Sequence, residues 1–192
     1  MRNFLVAILM AVAVSGVFGL DYSAGVDYTF SFDEGYDNQV GVSFTVKNVY
    51  KSFGVKVGLK SNFQESAEYS LEGLEEGENN SYYDAKTNTS FLNPHDNGKN
   101  IVNTLKLSIV YTTKSFDFFG GVNYSLTLEQ KLWMHDIGSS NDNPYVYASS
   151  HSGEDTTIGF NVGVTYNYSD FNVTLGYDNF PSGAVVGLGY NF

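Results

Sequence analysis

The sequence predicts an all-β fold: one eight-stranded, antiparallel, up-and-down barrel that crosses a membrane. Three observations predict it. Apolar and polar residues alternate with a period of two in eight segments of about ten residues, the length a tilted strand needs to cross a bilayer. The connections between those segments alternate short and long. Aromatic residues gather on the apolar face at the short-turn end of the segments.

Residues 1–19 stand apart from the barrel. Arg2 is followed by an apolar run from Phe4 to Val14, and Val17 and Gly19 occupy the third-last and last positions before an expected cut. That is the layout of a secretory signal peptide, and the run is too short to span a bilayer comfortably. The expected mature domain is 20–192. The chain has no cysteine, so disulfides, thiol chemistry and a lipoprotein anchor are not expected.

The strands follow in order. The first covers about Tyr22 to Phe32, with Tyr22, Ala24, Val26, Tyr28, Phe30 and Phe32 on one face and Asp27 on the other. The second runs from Gln39 to Tyr50 and sets Val40, Val42, Phe44 and Val46 against Lys47 and small polar residues. The third, Phe53 to Phe63, opposes Val55, Val57 and Leu59 to Lys56 and Lys60. The fourth, Ile101 to Thr112, opposes Leu105, Leu107, Ile109 and Tyr111 to Lys106. The fifth starts at Phe116 and reaches Met134, with Phe118, Val122, Tyr124, Leu126 and Leu128 opposing Asp117, Asn123 and Glu129. The sixth, 157–168, alternates most cleanly. The seventh sets Phe171, Val173, Leu175 and Tyr177 against Asp178, and the eighth carries Ala184, Val186, Leu188, Tyr190 and Phe192.

Short turns fall at Lys51-Ser52, Thr113 to Ser115 and Ser169-Asp170; the other connections are Asp33 to Asn38, Gln64 to Asn100, His135 to Asp155 and Asn179 to Gly183. With the N-terminus on the periplasmic side, the longer ones all fall outside, as in outer-membrane barrels. A soluble barrel would show the same alternation turned inside out. An eight-stranded barrel has an interior only just wide enough for side chains, and some forty large apolar residues would not fit there. The belt Tyr22, Tyr50, Phe53, Tyr111, Phe116, Tyr168 and Phe171, continued by Tyr190 and Phe192, is placed as an interfacial aromatic girdle.

The final run, Gly187-Leu188-Gly189-Tyr190-Asn191-Phe192, resembles the outer-membrane β-barrel superfamily. The resemblance covers the whole mature chain and fits best the small eight-stranded members: OmpA-like, OmpX-like and opacity-like. It implies an assembly signal at Leu188, Tyr190 and Phe192 read by the barrel-assembly machinery. It also implies outer-membrane lipid as surroundings and the bacterial outer membrane as location.

The chain carries a net charge of −11, or −12 without Arg2, so nucleic acid is not an expected partner. Nine charged residues, Asp27, Lys47, Lys56, Lys60, Lys106, Asp117, Glu129, Lys131 and Asp178, fall on the polar face. Near-balanced signs inside a narrow barrel predict ion pairing rather than a selective pore. From Gln64 to Asn100 eight acidic residues face two lysines, which reads as a solvated, mobile loop. Glu75-Glu76-Gly77-Glu78-Asn79 lacks the spacing of a calcium loop. His95, His135 and His151 are expected in outside loops rather than on strands. Eight-stranded enzymes acting on lipid A carry catalytic His and Ser on or near their strands, so no catalytic residue, metal or cofactor is expected.

The leading functional expectation is a monomeric, non-enzymatic surface protein. Its barrel anchors acidic outside loops for an extracellular ligand or for envelope integrity. A small pore, or an OmpW-like conduit entered near Leu132, Trp133 and Ile137, is the alternative. An enzyme acting on lipid A is the second alternative.

Overall fold

The computed structural model describes residues 20–64, 69–71, 74–76, 81–85, 89–136 and 145–192; the expected signal peptide, 1–19, lies outside them. Eleven strands form among the described residues: β1 Tyr22–Ser31, β2 Gln39–Tyr50, β3 Phe53–Ser61, β4 Tyr69–Ser70, β5 Glu75–Glu76, β6 Tyr82–Asp84, β7 Thr89–Thr112, β8 Phe116–Asp136, β9 Tyr145–Tyr168, β10 Phe171–Asn179 and β11 Ser182–Asn191. They divide between two compact units.

The first unit comprises residues 20–62, 103–125 and 157–192. Its strands pair in the order β3-β2-β1-β11-β10-β9-β8-β7, and β3 pairs with β7, which closes an eight-stranded antiparallel barrel. Closure between first and last strands sets Val26 opposite Leu188 and Tyr28 opposite Val186, and the Phe192 N–H donates to the Tyr22 carbonyl at 2.9 Å. Because side chains alternate faces, a slip of one residue would turn every apolar row inward. The observed register keeps them together: Val57, Phe44, Ala24, Tyr190 and Phe171 form one row across five strands. The row Leu59, Val42, Val26, Leu188 and Val173 lies beside it. The pairing of β2 with β3 is interrupted between Val46 and Tyr50, where Asn48 takes φ 56°.

Large apolar residues of the barrel face out, among them Val26, Ile109, Phe118, Val122, Leu175 and Leu188. The buried residues are mostly polar, including Thr29, Thr104, Asn123, Ser125, Asn161 and Thr174. The nine residue steps of β1 from Tyr22 to Ser31 span about 31 Å of strand, or about 23 Å of membrane normal at a tilt of ~40°. That matches a hydrocarbon core.

The second unit comprises described residues within 63–102 and 126–156. Here the described residues depart from the expected solvated loop. Strand β7 begins at Thr89 rather than Ile101, and β9 begins at Tyr145 rather than Thr157. Tyr82 pairs with Phe91 between β6 and β7, and Tyr69 pairs in parallel with Ala148 of β9. Leu71, Phe91, Trp133, Val146 and Ala148 form a buried apolar cluster with Leu74 and Tyr82 packed against it. Burial of that cluster offsets the ordering entropy that a purely acidic segment could not.

Candidate functional site

The barrel interior holds a cross-linked polar core. Asp178 on β10 accepts from Lys60 at 2.8 Å through Oδ2 and from Lys106 at 2.6 Å through Oδ1. Lys60 also donates to Thr29. Toward the short turns, Lys47 lies 2.9 Å from Asp117 and donates to Asn167 at 2.8 Å and Asn191 at 3.1 Å. Asn167 donates in turn to Asp117 at 2.9 Å. Between the charged groups runs a neutral chain: Ser108 to Asn161 at 2.6 Å, then Asn161 to Asn123 at 2.7 Å. Thr165 bonds Thr174 at 2.8 Å. These links join strands from all round the barrel and set the buried ammonium groups of Lys47, Lys60 and Lys106 against the carboxylates of Asp117 and Asp178.

Lys56 is placed differently. Its ammonium lies 4.6 Å from the centroid of the Phe119 ring, a cation–π contact inside the barrel. Phe119 is an inward aromatic that sequence reading missed. Its signal was present: β8 alternates, so Phe119 shares the face of Asp117, and Gly163 and Gly176 supply room. A Cβ at Gly163 would collide with the Phe119 ring. Lys56, Asp27, Asp117 and Phe119 border a small space of about 10 Å³, room for about one water.

Two expected interior charges are not inside. Glu129 and Lys131 form a loose pair at 3.7 Å with both side chains half exposed. Asn123, Ser125 and Thr127 are buried, but the next buried positions are Gln130 and Trp133. The alternation slips after Thr127 and carries Glu129 and Lys131 to the exposed side. The expected loop histidines need the same correction. His95, His135 and His151 belong by backbone to β7, β8 and β9, and their side chains lie outside the described residues. Among the described residues no group of three His, Cys, Asp or Glu could hold a metal ion.

At the short-turn end Tyr50, Phe53, Tyr111, Phe116, Tyr168, Phe171, Tyr190 and Phe192 are exposed. Their rings touch along the rim: Phe53–Tyr111 at 5.3 Å, Phe171–Tyr190 at 5.6 Å, Tyr190–Phe192 at 5.1 Å and Phe192–Tyr22 at 5.2 Å. Leu188, Tyr190 and Phe192 share the outward face of the closing seam.

The second unit presents a contrasting surface. Its sequence carries thirteen acidic residues against three lysines, a net charge of −10 out of −12 for residues 20–192. Tyr69, Tyr83 and Tyr145 are exposed there, and Lys99 sits 4.6 Å over the Tyr147 ring.

An apolar, aromatic-belted exterior around a hydrogen-bonded polar interior is stable only when hydrocarbon surrounds it. The chain is an eight-stranded transmembrane β-barrel. No protein-family model matches it, and no curated protein sequence matches it. Three solved structures are similar in fold. Ail, the attachment invasion locus protein of Yersinia pestis, is 12% identical with TM-score 0.47, over 90% of this chain and 97% of that one. A major outer membrane protein from Thermus thermophilus is 10% identical with TM-score 0.46, over 90% and 99%. Neisserial surface protein A is 13% identical with TM-score 0.35, over 90% and 96%.

Proposed function

We propose that this barrel is a non-enzymatic membrane anchor whose outside unit engages a partner bearing basic surface. The observation that carries the reading is the division of charge: the second unit has its own apolar core and nearly all of the net negative charge. Binding residues on connections held by a rigid scaffold are the usual arrangement. Complementary charge would accelerate encounter with a basic partner and make it sensitive to salt. The conduit alternative has less support, because paired charges and Phe119 fill the barrel interior.

Cells displaying the full chain can be compared with cells displaying a barrel in which 63–102 and 126–156 are each replaced by a short turn. Both barrels should migrate differently on gels before and after boiling. Only the full chain should retain an immobilised basic protein, and added salt should release it. Equal retention by the shortened barrel would overturn the proposal.

A further inference from the structure

The lipid-facing surface of the barrel is not uniformly convex. A groove of about 830 Å³ runs across β3, β2, β1, β11 and β10, and its accessible walls are almost wholly apolar. It follows the row Val57, Phe44, Ala24, Tyr190, Phe171. Ala24 explains it. It stands between the rings of Phe44 and Tyr190, so the row drops to a single methyl at its centre. On the far side stand Val26 and Leu188, both well exposed. The groove is therefore continuous with the surface that faces bilayer hydrocarbon, and a flexible chain fits a trough of this kind.

The short-turn end of the same sector carries a cation. Lys51 follows Tyr50 in the β2–β3 turn, and its ammonium sits 5.4 Å over the exposed Tyr50 ring. Phe53 pairs with Tyr50 and Val57 with Phe44, so four residue steps, about 13 Å, separate the turn from the groove. That distance suits a headgroup at the interface and a chain lying below it. We infer that this groove holds one acyl chain of an anionic glycerophospholipid from the leaflet at the short-turn side, with its phosphate beside Lys51. The inference rests on the membrane setting of the barrel and is independent of what the second unit binds.

The test uses the full chain reconstituted with phosphatidylglycerol and phosphatidylethanolamine, extracted into mild detergent and weighed by native mass spectrometry. Wild type should retain one phospholipid, preferring phosphatidylglycerol. Ala24→Leu fills the trough and should lower retention about tenfold. Ala184→Leu, the same change on the outward face of β11 opposite Phe30, should not. Lys51→Glu should erase the preference for phosphatidylglycerol while leaving the gel shift on boiling intact, and it carries the test if Ala24→Leu fails to fold. Equal retention by Ala24→Leu and wild type would overturn the inference. So would a retained mass of lipid A, or of a second copy of the chain, lost on the same substitution.

Discussion

The ammonium of Lys60 lies 2.8 Å from Oδ2 of Asp178, and both side chains are almost wholly buried. Lys106 occupies the other oxygen of the same carboxylate. One aspartate therefore pairs with two lysines from β3 and β7, strands that pair with each other. Asp178→Asn strands both ammonium groups in the interior and should cost about 3–5 kcal/mol. Lys60→Met leaves Asp178 paired with Lys106 and should cost clearly less. Urea titrations of the barrel in vesicles, read by the gel shift between folded and boiled forms, give both values. Equal losses would show that the two lysines do not share the carboxylate.

Phe119 fills the space left by Gly163 and Gly176 and receives Lys56 on its face. Phe119→Ala should destabilise the barrel by about 3–5 kcal/mol through lost packing and the cavity left behind. Gly163→Val should destabilise it by the opposite route, since the new side chain displaces the ring. Wild type should give no reproducible conductance in planar bilayers, and Phe119→Ala is the single change most apt to open a leak. Steady wild-type channels would return the conduit reading to the front.

Much of the barrel was legible because one physical rule dominates it. A strand with lipid on one side and a polar core on the other must alternate, so Val26, Val42, Leu188 and their neighbours marked both strand and face. The rule fails where the register slips. A shift after Thr127 on β8 reversed the faces, and Glu129 and Lys131 were misplaced with it. It was also silent where turn chemistry stood in the way. Asn93-Pro94-His95-Asp96-Asn97-Gly98 reads as a loop, yet the backbone there continues β7. The core of the second unit joins Leu71, Phe91, Trp133 and Val146, residues too scattered along the chain for any local period to connect.

Leu105 pairs with Leu59 and shares the outward row near the middle of the hydrophobic band. Leu105→Lys should cost about 2–4 kcal/mol of insertion free energy, the penalty for a cation at the bilayer midplane. Lys131→Gln, at a half-exposed position of the second unit, should change insertion by less than about 0.5 kcal/mol. Folding yields into vesicles over a urea series measure both. A tolerated lysine at Leu105 would mean that this row does not meet hydrocarbon.

Trp133 is the chain's one tryptophan, and its ring meets Tyr82 edge-on at 5.4 Å within the buried cluster of the second unit. Its fluorescence therefore reports on that cluster. Emission from the folded protein should be blue-shifted, as expected of an indole removed from water. Phe91→Ala removes a buried neighbour and should red-shift the emission while weakening the unit by about 3–5 kcal/mol. The gel shift on boiling should persist, because Phe91 lies in the second unit while Asp178 and Phe119 lie in the first. Loss of the gel shift together with the emission change would show instead that the second unit and the first fold as one cooperative body.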